Sequence, residues 1–210
     1  MKIVYRENAD PDLIKKLEER LGTAAVQEDP ADPLEAYLLL DSEGLSLNRG
    51  PLSMEGSFSG MKKRLKKSNL EHELILRAVR IREKKTLRIL DATAGMGEDA
   101  LLLSACGHKL DLYEKDPVIG SLLEDAVRRG TEDPDLKDAA SRMAVHLKDS
   151  MEDMRIAGGR YDVICLDPMF PKRTKSADVK KKFQLINELE QPLRQYPQSE
   201  RVAFTRRSDS

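Results

Sequence analysis

Tryptophan is absent from the 210 residues, and the other aromatics are few, with five tyrosines and four phenylalanines. A core must therefore be built from aliphatic side chains, and a phenylalanine in a loop is notable. Cysteine is nearly missing as well. Cys106 and Cys165 each stand alone inside a hydrophobic segment, which excludes a disulfide framework and points to the reducing cytoplasm. With only three scattered histidines, neither a structural zinc site nor any other metal is expected. Net charge is −1, so no global field draws the chain to a polyanion, and such attraction must come from local patches. No apolar run approaches the roughly 18 residues of a membrane span, and "MKIVYRENAD" lacks the apolar core of a signal peptide. A soluble globular protein with a charged surface is expected.

What is present falls into two parts. Residues 1–58 read as a small α+β cap, and 59–210 as the main domain. In the cap, Met1–Tyr5 is a short strand, and "NADPDLIKKLEERLG" is a helix with Asp10 as N-cap and Gly22 as its stop. "AYLLLDSEGLSLNRG" reads as two strands joined by a turn at Ser42–Gly44, and "GPLSMEGSFSG" as a linker. A single helix is expected from about Met61 to Arg82. From Thr86 strands alternate with helices: "LRILDATA", "KLDLYEKD", "RMAVHLKD" and "YDVICLDP" are strands, followed by a helix over 175–193 and a fifth strand over 201–207. One intervening helix is expected to stop at Gly130. That alternation predicts βαβ units and a Rossmann-like parallel sheet, with ligands bound beyond the carboxyl ends of its strands.

"DATAGMGEDA" leaves the first of these strands and enters a helix. Gly95 and Gly97 are expected to let the backbone turn tightly and the cofactor approach without a Cβ in the way. With Ala100 they fit G-x-G-x-x-A, and Glu114 lies where a dinucleotide fold places its ribose acid. Two features favour a cationic cofactor over a diphosphate. Asp91 ends the strand, where a carboxylate suits an ammonium and a sulfonium. Glu98 and Asp99 open the helix, where they would repel a pyrophosphate, although simple capping also accounts for them. S-adenosylmethionine fits these features. Glu114 would accept from ribose hydroxyls, and Asp149 and Ser150, after the third strand, could meet the adenine edge; each alone could equally be a solvated turn residue.

The fourth strand ends in "DPMFP". An exocyclic amine is a poor nucleophile because its lone pair is delocalised into the ring. Hydrogen bonds to the Asp167 carboxylate and the Pro168 carbonyl would localise that pair, and Phe170 could stack on a base for about 1–3 kcal/mol. A proline-rich structural turn is the alternative.

"LDATAGMGEDA", "YEKDP" and "LDPMFPKRTKSADVKKKFQ" together resemble the bacterial ribosomal small-subunit methyltransferase J family, over about residues 86–186. The resemblance implies a class I methyltransferase fold and transfer of methyl from S-adenosylmethionine to the N2 amine of a guanine in 16S ribosomal RNA. It implies cofactor contacts at Glu98, Asp99, Glu114, Lys115, Asp149, Ser150 and Asp167. Two departures stand out. "KRLKKSNLEHEL" replaces the family's glycine-rich segment before the first strand, and the antiparallel hairpin expected after the fifth strand is missing from these 210 residues.

Cations are segregated. "MKKRLKK" carries five in seven residues, and Lys172, Arg173, Lys175, Lys180, Lys181 and Lys182 cluster beside the DPMFP loop, where they would meet RNA phosphates. The expected partner is 16S ribosomal RNA or the small ribosomal subunit. Three rivals remain open: methylation of another planar amine (adenine N6 or a protein glutamine), a non-catalytic RNA-binding protein on the same scaffold, and an NAD-dependent oxidoreductase supported only by G-x-G-x-x-A.

Overall fold

The computed structural model describes residues 1–82, 84–156 and 159–167. The helix expected over 175–193 and the strand over 201–207 lie outside them. The first sheet uses strands β1 (Lys2–Tyr5), β2 (Ala25–Val26), β3 (Tyr37–Asp41), β4 (Gly44–Arg49) and β5 (Leu52–Glu55), in the order β2-β1-β3-β4-β5. β1 runs parallel to β2 and β3, whereas β3, β4 and β5 form antiparallel hairpins. Helix α1 (Pro11–Leu21) starts as its sequence predicts, with the Asp10 carboxylate accepting from the Asp12 N–H at 2.9 Å, and Gly22 follows its last turn.

Two expectations fail in the next segment. Residues 50–60 are not a linker: Leu52–Glu55 add a strand to the sheet, and Met54 and Phe58 are buried. The Leu-Ser-Met-Glu alternation is the strand signal, masked by flanking Gly and Ser. The single helix expected over 61–82 is instead a 3-10 turn (Ser59–Met61) followed by α2 (Lys67–Leu70) and α3 (Leu74–Ala78), with Lys66 and Glu73 extended before each. Crowded cations disfavour one continuous helix. Asn69 adds a competing bond, its side-chain amide donating to the Lys63 carbonyl at 2.6 Å.

The second sheet comprises β6 (Arg88–Asp91), β7 (Lys109–Tyr113), β8 (Met143–His146) and β9 (Val163–Cys165), all parallel in the order β8-β7-β6-β9. The helices between them are α4 (Glu98–Ala105), α5 (Pro117–Glu132), α6 (Lys137–Ala140) and α7 (Met151–Ile156). The α5 helix does not stop at Gly130 but runs through it; a Cβ there would lie 2.9 Å from that of Ala140, so glycine lets α6 pack closely. Helix α4 is buried from Ala100 to Ser104, and its leucines meet Ile89, Leu110, Leu112 and Phe58 in one aliphatic core. Strand order reverses between β6 and β9, so a crevice opens beyond the end of β6. No helix among the described residues is long and apolar enough to cross a membrane.

Helix α5 also carries the first sheet. The buried Asp125 accepts the Leu45 N–H through Oδ2 at 2.8 Å and the Arg128 guanidinium through Oδ1 at 2.8 Å. Arg20 of α1 donates to the Ser121 hydroxyl at 2.7 Å and the Glu124 carboxylate at 2.8 Å. Asp125→Ala leaves a buried N–H without its acceptor, so unfolding in urea should show a loss of about 2–3 kcal/mol. A loss below about 0.5 kcal/mol would mean that this contact does not secure the first sheet.

Candidate functional site

Four strand ends meet at the mouth of the second sheet. After β6 the chain turns at Thr93–Gly97: the Ala92 N–H donates to the Cys165 carbonyl at 2.9 Å, and the Ala94 N–H to the Tyr113 carbonyl at 3.0 Å. The turn is thus sewn to β9 on one side and β7 on the other. Both glycines are left-handed, with φ of 53° at Gly95 and 71° at Gly97. They face different ways. A Cβ on Gly97 would strike Leu123 Cδ1 at 2.6 Å, in the core, whereas one on Gly95 meets nothing within 4 Å. Gly97 closes the fold, and Gly95 borders open space.

Carboxylates line that space. Asp91 is only 9% exposed and is pushed up to about 6, first by burial and then by the charges of Asp99, Glu114 and Asp167, with a hydrogen bond from Thr93 N–H opposing. Glu114 is also raised, chiefly by burial, although it accepts N–H bonds from Asp116 at 2.8 Å and Gly95 at 3.0 Å. Asp99 in the first turn of α4 is raised by lost hydration, partly offset by Arg64, with Asp167 and Glu98 adding to the rise. Burial pushes the Cys165 thiol up to about 11, and Asp91 and Asp99 contribute. The result is a cluster of anions whose neighbours disfavour their charge. A cationic ligand would relieve it, and a diphosphate would aggravate it. Among the described residues no three His, Cys, Asp or Glu side chains are placed to hold a metal ion, so the acids line a surface instead of meeting at a point.

The structure brings Asp91, Gly95, Glu98, Asp99, Glu114 and Asp167 to one mouth, with Lys115 exposed just beyond Glu114. Asp149 lies just before α7 and accepts from the Met151 N–H at 2.8 Å. Ser150 is buried, and its hydroxyl donates to the Ala92 carbonyl at 3.1 Å, which ties the end of β8 to the glycine turn. Pro168, Phe170, Lys172, Arg173, Lys175, Lys180, Lys181 and Lys182 lie outside the described residues. Sequence reasoning missed Thr93, whose hydroxyl accepts the Asp167 N–H at 2.9 Å and joins the two loops. A polar residue between two alanines in "DATAG" was the available signal.

Comparison with known proteins agrees with this geometry. The family described as "Putative SAM-dependent methyltransferase" matches residues 23–190. Ribosomal RNA small subunit methyltransferase J of Acinetobacter baylyi is 36% identical over 163 residues, covering 73% of this chain and 60% of that protein. The protein of the same name from Alkalilimnicola ehrlichii is 34% identical over 195 residues, covering 89% and 72%; that from Pseudomonas fluorescens is 38% identical over 162 residues, covering 74% and 62%. The chain therefore spans about 60% of the length of the first of these relatives. A crystal structure of the SAM-dependent methyltransferase NGO1261 from Neisseria gonorrhoeae superposes with a TM-score of 0.67 at 25% identity, over 81% of this chain and 70% of that one.

The position of Asp91 makes a pH-dependent prediction. Its folded pKa of about 6 lies above the ordinary carboxylate value of 3.8, so the folded state binds more protons than the unfolded state between these values. Stability therefore falls as pH rises through that window, and the full penalty, on the order of 2–3 kcal/mol, is present above it. Asp91→Asn should make the ligand-free protein more stable in urea at pH 7.5, with the gain shrinking toward pH 4. A gain that does not change with pH would contradict the burial of a charged Asp91.

Proposed function

The chain belongs to the SAM-dependent methyltransferase family that includes ribosomal RNA small subunit methyltransferase J, and from that premise we propose that it methylates the N2 amine of a guanine in 16S ribosomal RNA. The observation that carries this reading is the open, acid-lined glycine turn at the switch point of the sheet. S-adenosylmethionine, bound there, supplies a methyl group on a sulfonium. Glu114 is placed to accept from the ribose hydroxyls, Asp149 and Ser150 stand at the adenine end, and Asp91 and Asp99 offer negative charge to the methionine end. Glu98 and Lys115 flank that surface. The bare edge of Gly95 lets the ligand approach the backbone.

On this reading Asp167 accepts a hydrogen bond from the guanine amine and takes the proton that the nitrogen loses. The Pro168 carbonyl accepts the second amine hydrogen, and Phe170 stacks on the base. Each contact orients the nitrogen lone pair toward the methyl carbon, so the rate gain is mostly one of positioning. The Thr93 hydroxyl fixes the backbone of Asp167 from the glycine turn. Lys172, Arg173, Lys175, Lys180, Lys181 and Lys182 meet phosphates of the 16S RNA or the small subunit, in the cytoplasm. Residues 1–58 act as a cap on the 59–210 methyltransferase domain.

Asp167→Ala should lower single-turnover methylation of 16S RNA or small subunits by at least ~100-fold, the low end for a positioned acid–base group. Phe170→Ala should weaken base placement with calorimetric affinity for S-adenosylmethionine nearly unchanged. Wild-type rates in both variants would reduce DPMFP to a structural turn and remove the basis for amine methylation.

A further inference from the structure

The basic stretch after the first sheet divides into two classes of cation. Lys62 is engaged, at 2.7 Å from Asp133 and 3.1 Å from Asp135. Arg64 is engaged too, with Nε and Nη2 each 2.8 Å from a carboxylate oxygen of Glu73. These contacts pin the segment to the α5–α6 turn on one side and to the start of α3 on the other. Met61 is buried, and Leu65 packs against the core. Lys63, Lys66 and Lys67 are exposed, and among the described residues none of them has an ion pair. The backbone that presents them is held by the Asn69 bond to the Lys63 carbonyl.

Location gives this triad its meaning. A Cβ on Gly97 would lie 3.5 Å from the Phe58 ring, and Phe58 opens the Ser59–Met61 turn that leads into this segment, so the segment starts beside the glycine turn. The Asp99 and Glu98 charges, in the first turn of α4, also act on Arg64. The mouth itself is acidic and repels phosphates. A polyanionic substrate can bring a base there only if its backbone is held by cations at the rim. We propose that Lys63, Lys66 and Lys67 form an RNA-backbone docking surface at the rim of the acidic mouth. The engaged cations, Lys62 and Arg64, fix the surface, and the three lysines exchange counterions for phosphates. This rests on the methyltransferase reading for the identity of the polymer.

The test compares two triple variants of equal charge in the full chain, with an unmodified 16S ribosomal RNA transcript as probe. Lys63→Gln/Lys66→Gln/Lys67→Gln should weaken RNA binding at least about tenfold near 0.1 M salt and lower the slope of log K against log salt by about 2, as expected for two or three lost phosphate contacts. The control, Lys15→Gln/Lys109→Gln/Lys137→Gln, should keep the wild-type slope. Calorimetric affinity for S-adenosylmethionine should be the same in all three proteins. An unchanged slope in the first variant, or an equal loss in both, overturns the docking surface. Failure of the wild-type protein to bind S-adenosylmethionine instead sinks the methyltransferase reading, which separates the two.

Discussion

Carboxylates crowd the carboxyl end of a parallel sheet, and their loss of hydration on burial, with mutual repulsion added to it, is the constraint around which the second half of the molecule is arranged. Asp91 is nearly buried, and the charges of Asp99, Glu114 and Asp167 all act on it. Backbone N–H groups from Thr93, Gly95 and Asp116 offset part of the penalty by pointing at Asp91 and Glu114. The Gly95 N–H is available because left-handed glycines fold the turn back on itself, and the Asp116 N–H comes from the turn after β7. The helix dipole of α4 further favours acids in its first turn. Enough of the burial penalty and repulsion remains to favour protonation at the mouth, and a cation would relieve it.

The scaffold keeps this arrangement rigid. Buried leucines of α4 anchor one side of the turn, and Gly97 touches Leu123 of α5 with no room to spare. The same α5 helix secures the first sheet through Asp125 and Arg20. Thr93 and Ser150 then carry the position of the turn to the ends of β9 and β8. A shift of the glycine loop is therefore felt at the start of DPMFP. Acids occupy the centre of the mouth, so the proposed binding of RNA depends on lysines set apart from them, which is compatible with a net charge of −1.

The parallel sheet was legible because β6, β7 and β8 are short strand-like segments, each ending at or closely followed by an acid (Asp91, Glu114 and Asp149) and separated by helical stretches. The glycine turn was legible from spacing alone, and so was the grouping of Asp91, Glu114 and Asp167 at strand ends. The opposite orientations of Gly95 and Gly97 were not, because they depend on Leu123, which is distant in sequence. Residues 61–82 misled for a related reason. Their composition favours a helix, but Arg64–Glu73 and Lys62–Asp133 contacts hold a broken path. Strand β5 was hidden by its short length and its glycine-rich flanks. Ser150 showed its polarity in the sequence, whereas its burial against Ala92 is a tertiary fact.

The central claim is that the acid-lined turn holds a cationic methyl donor and not a dinucleotide. Thermal unfolding of the wild-type protein with S-adenosylmethionine or NAD, each at about 100 times a micromolar dissociation constant, tests it most directly. Binding to the folded state alone corresponds to about 2.7 kcal/mol at that excess, which is a shift of several degrees. The account predicts that rise with S-adenosylmethionine and none with NAD. A rise with NAD, or no response to S-adenosylmethionine, would contradict it.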